Sequence, residues 1–152
     1  MSIDDESFLN LETDEAAVAT FLAENGGDLM RDDRTEGGAD RGIYWLTIRP
    51  KLVPTEKFVA RFEWFAYPYQ APSIKFVPAI RGSITTSSAW PLMTGYRAGS
   101  FDICRPMCHE GYTTHPEWRQ GSTAWPTEGN PFLWVAQTMQ FQFDNDYQGR
   151  ST

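Results

Sequence analysis

The chain has 152 residues, 41% hydrophobic and 14% aromatic, enough to fill one core, so a single globular domain is expected. Its net charge of −7 is uneven: positions 1–40 hold twelve Asp and Glu against Arg31 and Arg34, net −10, leaving +3 for the rest. That balance argues against a nucleic-acid partner, and the acidic end reads as a solvated surface. No apolar run is long enough to span a bilayer and Met1-Ser2-Ile3-Asp4 opens no signal peptide, so a soluble, cytoplasmic protein is expected.

Residues 1–10 read as a flexible N-terminus and 11–152 as the domain. Thr13, Asp14 and Glu15 precede Ala16, Ala17, Val18, Phe21 and Leu22, an N-cap with an acidic first turn and an apolar face at helical spacing; Asn25-Gly26-Gly27 ends it. The charged, glycine-rich stretch from Arg31 to Arg41 reads as a loop or exposed hairpin. Ile43–Ile48 and Phe58–Phe65 are rich in β-branched and aromatic residues and predict an antiparallel pair. Ser73–Val77 is a third strand, after a segment in which Pro68 and Pro72 forbid regular structure. From Pro78 to Thr127 little is periodic, and irregular chain of that length in a compact domain is usually functional. Asn130 then caps a helix with Pro131 at its first position and Phe132, Val135, Ala136, Met139 and Phe143 on its core face. Helix, antiparallel meander, long irregular segment and C-terminal helix make an α+β domain. No phosphate-binding glycine motif is present and no cofactor is expected.

All the cysteines and histidines, Cys104, Cys108, His109 and His115, fall within twelve residues of the irregular segment. Two nearby cysteines in no repeated framework read as reduced thiols. Three readings follow. The four side chains are the right number and type for a tetrahedral zinc site, although adjacent Cys108 and His109 make awkward ligands. One cysteine is a nucleophile, activated by Arg105, His109 or His115. Or both cysteines are small hydrophobes in the core and both histidines lie on the surface.

The order of features resembles the ubiquitin-conjugating enzymes, the E2 family. After two long strands comes Tyr67-Pro68-Tyr69-Gln70-Ala71-Pro72-Ser73-Ile74-Lys75-Phe76, which matches the family's tyrosine-proline motif except that Ala71 replaces the first of its paired prolines. Closest is the J-type branch, whose catalytic cysteine precedes a histidine-proline-acid-tryptophan segment and a second tryptophan. Here Gly99-Ser100-Phe101 lies ahead of Met107-Cys108, followed by His115-Pro116-Glu117-Trp118 and Ala124-Trp125. This register places Cys108 at the catalytic position, ahead of the alternative in which Ile103-Cys104 is the isoleucine-cysteine pair of ordinary E2s.

The resemblance runs from about Ile43 to the last helix and implies a shortened UBC-like fold in a soluble prokaryotic relative. It also implies that an E1-like enzyme passes a ubiquitin-like protein to the cysteine as a thioester, for transfer to an amine or hydroxyl acceptor on a protein substrate, with or without an E3. His115 is the implied base or orienting group and Glu117 its partner. The family's upstream oxyanion asparagine is missing, because the matching region reads Tyr96-Arg97-Ala98-Gly99. Backbone N–H groups, Arg97 or His109 stand in for it. The first helix is acidic where that of E2s is basic. The alternatives are an inactive E2-variant or RWD-like binding module, and a small zinc domain on Cys104, Cys108, His109 and His115.

Overall fold

The computed structural model of the protein describes residues 3–32 and 41–152. Helix α1 (Asp5–Glu24) is followed by strands β1 (Asp28–Arg31), β2 (Ile43–Ile48), β3 (Phe58–Glu63) and β4 (Ser73–Val77), which form one antiparallel sheet in sequential order. A two-stranded hairpin, β5 (Tyr96–Arg97) and β6 (Asp102–Ile103), then leads to the short helix α2 (His109–Thr114) and the closing helix α3 (Pro131–Asp146). This is the α+β arrangement of N-terminal helix, meander and C-terminal helix. Most of the stretch read as a loop or hairpin, residues 33–40, lies outside the described residues.

Alternation assigns the two faces of the sheet. Tyr44, Leu46 and Ile48 pair with Phe62, Ala60 and Phe58, and Ala60 and Phe62 pair in turn with Phe76 and Ile74; all of them point into the main core. Ile43, Trp45, Val59 and Val77 form a smaller cluster on the other face, where the Arg81 guanidinium lies 5.2 Å from the Trp45 ring. Burial on both faces explains why β2 reads as a nearly continuous apolar run.

Helices α1 and α3 cover the inner face and touch each other. Leu11, Val18 and Leu22 of α1 are fully buried at spacings of seven and four. On α3, Phe132 packs 5.1 Å from Tyr44 and Phe143 packs 5.2 Å from Phe58. The Asn130 side chain accepts the Leu133 N–H at 2.9 Å, so the cap read from the sequence is the cap observed.

Helix α1 starts eight residues before the expected Thr13. Asp4 is its cap, accepting the Ser7 N–H at 2.8 Å, with Asp5 and Glu6 in the first turn. Thr13 is interior, and its hydroxyl donates back to the Leu9 carbonyl at 3.1 Å. Part of the acidic charge of α1 is offset: Arg31 pairs with both Glu12 and Glu15 at 3.1 and 3.4 Å, and Glu15 also accepts from the Tyr44 hydroxyl at 2.7 Å. Among the described residues no helix is long and apolar enough to cross a membrane.

Tyr67, between β3 and β4, fastens the layers together. Its hydroxyl donates to Asp14 of α1 at 2.5 Å and accepts the Phe132 N–H of α3 at 3.2 Å, while its ring packs edge-on to Trp64 at 4.8 Å. Burial, and then the Asp14 carboxylate, push the phenol well above its ordinary pKa, so it remains a donor at every physiological pH. Tyr67→Phe keeps the ring but leaves Phe132 N–H and Asp14 unsatisfied. It should cost about 2 kcal/mol in urea unfolding, a charge-linked bond being worth roughly 1.5–3 kcal/mol; an unchanged midpoint would remove Tyr67 from this role.

Candidate functional site

The cysteine-bearing segment is built outward from the β5–β6 hairpin. Tyr96 faces Ile103 and Arg97 faces Asp102 across it. The turn that closes it puts Phe101 at φ 56°, a left-handed conformation costing about 1 kcal/mol in a non-glycine residue. Lys75 of β4 holds that turn by donating to the Phe101 carbonyl at 2.5 Å. The hairpin is closed from outside by Arg97, whose Nε and Nη2 donate to the two Asp102 carboxylate oxygens at 2.7 and 2.6 Å. Ser100 adds a bond to Asp102 at 3.0 Å. Arg97 and Ser100 together hold the Asp102 carboxyl below its ordinary pKa, against the opposing effect of partial burial.

Cys104 follows directly. Its N–H donates to the Gly95 carbonyl at 2.7 Å, and the residue is only partly buried. Gly95 has φ +82°, and a Cβ there would meet the Cys104 carbonyl at 2.9 Å, so the close approach requires glycine. The Arg97 guanidinium and Cys104 lie within electrostatic range of each other.

Four residues on, Cys108 lies in a different environment. It is the N-cap of α2 yet is fully buried in the main core, its Sγ donating to the Ile103 carbonyl at 3.1 Å. Burial, reinforced by Glu110, pushes its thiol up to about 12, although the Gly111, Arg105 and Glu110 amides pull the other way. At pH 7 roughly one molecule in 10⁵ would carry the thiolate there. The Cys108 assignment read from the J-type register therefore meets a physical obstacle, a sulfur with no route to a partner protein. Accessibility ranks Cys104 ahead of Cys108, the reverse of the sequence order.

Helix α2 can press so closely on the Cys104–Cys108 turn because of Gly111. A Cβ at Gly111 would lie 1.9 Å from the Arg105 carbonyl oxygen, an impossible contact with backbone. Tyr112 locks the packing, its hydroxyl reaching the Pro106 and Thr123 carbonyls at 3.0 and 2.7 Å. Glu110 was not singled out by the sequence. It is three-quarters or more buried, accepts the Ser73 hydroxyl at 2.5 Å and lies 3.9 Å from Lys75, tying α2 to β4.

The two histidines separate. His109 is exposed, with its ring 5.2 Å from that of Phe65 and its N–H on the Pro72 carbonyl at 2.8 Å. His115 ends α2, about 10 Å along the axis from Cys108 at 1.5 Å per residue. Its Nδ1 bonds Glu117 at 2.9 Å, and its ring stacks on Trp118 at 4.1 Å and 23°. Glu117 is held below its ordinary pKa by its own backbone N–H and then by His115, so its carboxylate accepts and Nδ1 donates. Nε2 of His115 is left as the basic nitrogen. Trp118 stacks on His115, while Trp125 reaches Trp134 of α3 at 5.9 Å and donates its indole N–H to the Pro68 carbonyl at 2.7 Å.

The structure therefore brings Arg97 to Cys104 and Glu117 to His115, and keeps His115 apart from Cys108. It also removes the zinc alternative: Cys108 points into the core and His115 lies at the far end of α2. Among the described residues no three His, Cys, Asp or Glu side chains gather as a metal site. No protein-family model matches the chain, and neither a curated protein nor a solved structure shows a significant match to it.

The contrast between the thiols is directly readable. Native protein treated with iodoacetamide at pH 8 should take up one label, on Cys104, with Cys108 at least about 100-fold slower until the chain is unfolded. Peptide mapping that finds equal labelling would mean that Cys108 is accessible.

Proposed function

We propose that the protein is an E2-like conjugating enzyme that carries a ubiquitin-like protein as a thioester, and that Cys104 is the acceptor thiol. The observation that carries this reading is the pairing of a partly buried Cys104, at the end of a hairpin braced by Arg97 and Asp102, with a sealed Cys108. The order of helix, four-stranded meander, Tyr67-Pro68 segment, hairpin ending in Ile103-Cys104 and closing helix supports it, as the element order of a UBC-like fold. The Cys104 register is that of ordinary E2s, and the histidine-proline-acid-tryptophan segment of the J-type branch follows it.

Loading exchanges one thioester for another. Cys104 Sγ adds to the carbonyl carbon at the modifier's C-terminus, a new C–S bond forms, the C–S bond to the E1-like cysteine breaks, and the thiol proton passes to the departing sulfur. The exchange is nearly isoenergetic, so no strongly activated thiol is required. In discharge an amine or hydroxyl of the acceptor attacks the same carbonyl, and Cys104 leaves as the thiol.

The tetrahedral oxyanion of discharge needs a donor. Arg97 has spare capacity, because Asp102 uses two of its five N–H groups and fixes the plane of the rest. The basic Nε2 of His115, oriented by Glu117, is the group proposed to take the acceptor's proton. His109, exposed beside Phe65, is assigned no step.

Intact-mass measurement with ATP and the cognate E1-like and ubiquitin-like proteins tests this. Wild type and Cys108→Ala should form an adduct that thiol reductant removes, and Cys104→Ala should form none. Arg97→Ala should load but discharge roughly 100-fold more slowly, the scale of losing one oxyanion donor. An adduct lost only in Cys108→Ala would return the site to the buried thiol. The absence of any adduct would contradict the carrier reading and favour a binding module.

A further inference from the structure

A half-open cleft of about 430 Å³ lies between the β3–β4 connection, α2 and the strap that leads to α3, with neither cysteine in its wall. Its size falls within the range of ligand sites. Three rings line it: Tyr69, Tyr112 and Trp125. The hydroxyl of Tyr112 is committed to the Pro106 and Thr123 carbonyls and the indole N–H of Trp125 to Pro68, so both present ring surface rather than polar atoms. Tyr69 is 62% exposed, so its ring stands largely open to solvent.

The polar side chains of the wall are the opposite case, because theirs are uncommitted. Gln70, Arg119 and Thr127 line the cleft, and among the described residues none of these side chains has a hydrogen bond or ion pair. The His109 side chain, also in the wall, makes among the described residues only its ring contact with Phe65. No Asp or Glu lines the cleft, although the chain as a whole carries −7. Among the other described residues Arg31, Arg41, Arg61, Arg81, Arg97 and Arg150 each pair with a carboxylate and Arg49 donates to the Gly26 and Pro54 carbonyls, while Arg105, like Arg119, has no ion pair but has its Nε buried away from solvent. Arg119 stands out as a cation at an aromatic wall with nothing to neutralise it.

We propose that this cleft binds an acidic peptide segment of a partner protein, taking an aromatic side chain against Tyr69 and Trp125 and an adjacent carboxylate on Arg119. Gln70, Thr127 and His109 supply the remaining hydrogen bonds. A peptide fits better than a small molecule because the open side would leave a free ligand largely in water, whereas a side chain projecting from a bound chain fills the wall and keeps its backbone outside. Arg is the side chain suited to this anion, since its planar fork matches a carboxylate and stacks on rings. The site is separate from the thioester chemistry and stands or falls without it.

The test is a ¹H–¹⁵N NMR titration of the full chain with the capped tripeptide acetyl-Glu-Phe-Glu-amide and its neutral counterpart acetyl-Gln-Phe-Gln-amide, following the Trp125 indole N–H. The acidic peptide should shift that signal and bind about fivefold or more tightly than the neutral one, a gap that shrinks as salt rises. Arg119 is exposed and unpaired, so Arg119→Gln should leave the free spectrum intact while reducing the acidic peptide to the affinity of the neutral one. Cys104→Ala should bind as wild type does, which separates this site from the carrier. Equal affinities for the two peptides, no shift with the acidic one, or an Arg119→Gln variant that binds as before would each overturn the proposal.

Discussion

The hydroxyl of Tyr67 is the point on which the architecture depends. The buried hydroxyl donates to Asp14 and accepts from Phe132, so α1, the β3–β4 connection and the first turn of α3 share one buried polar junction. Asn130 doubles the link by donating to the Asp14 carbonyl at 3.0 Å while it caps α3. Beside this junction Trp64, Phe132 and Trp125 pack ring to ring, with centroids 5.1 Å apart for Trp64 and Phe132 and 6.1 Å for Trp64 and Trp125. Trp125 then ties the strap after α2 to Pro68, one residue past Tyr67. The segment that reads as a family motif is thus first a structural fastener, and the functional surface hangs from it.

From that frame the chain builds two unlike cysteines four residues apart. The hairpin ends at Ile103, whose carbonyl receives the Cys108 thiol, and the intervening turn folds back so that α2 can sit on it through Gly111. This geometry forces one sulfur inward and leaves the other at the rim beside Arg97. A thiol that exchanges acyl groups must meet a partner protein, and only the rim position allows that; the inner sulfur behaves as a small core hydrophobe with a weak hydrogen bond. The same turn separates the residues of the window, which is why four metal-ligating side chains close in sequence do not converge in space.

What the sequence made legible follows from periodicity. Strand β2 is a run of β-branched and aromatic residues, strand β4 alternates after Pro72 and helix α3 repeats at 3.6 after Asn130-Pro131, and they lie where those signals put them. Strand β1 is not legible because its four residues set Leu29 and the exposed Met30 side by side and show no alternation in sequence, and β5 and β6 are two residues each. The start of α1 was misplaced because Asp4 and Thr13 are both credible caps, and only the apolar contacts of Leu11 decide between them. The ordering of Cys104 and Cys108 was beyond any local signal. Burial there is set by Gly111, a residue whose importance comes from the Arg105 carbonyl pressed against it. The cleft on the other side of α2 was equally hidden, since Tyr69, Gln70, Arg119 and Trp125 span fifty-six positions and meet only through the fold.

The most direct check on the account is to fix the carried group in place. In a Cys104→Lys variant charged by the E1-like enzyme, acyl transfer to the lysine would give an amide that reductant does not cleave, and tandem mass spectrometry of the digested conjugate would locate the bond. The account predicts a stable conjugate mapped to position 104, with Cys108 recovered as a free thiol. A conjugate mapped to Cys108, or a variant that charges there through a reductant-sensitive bond as wild type does, would contradict it.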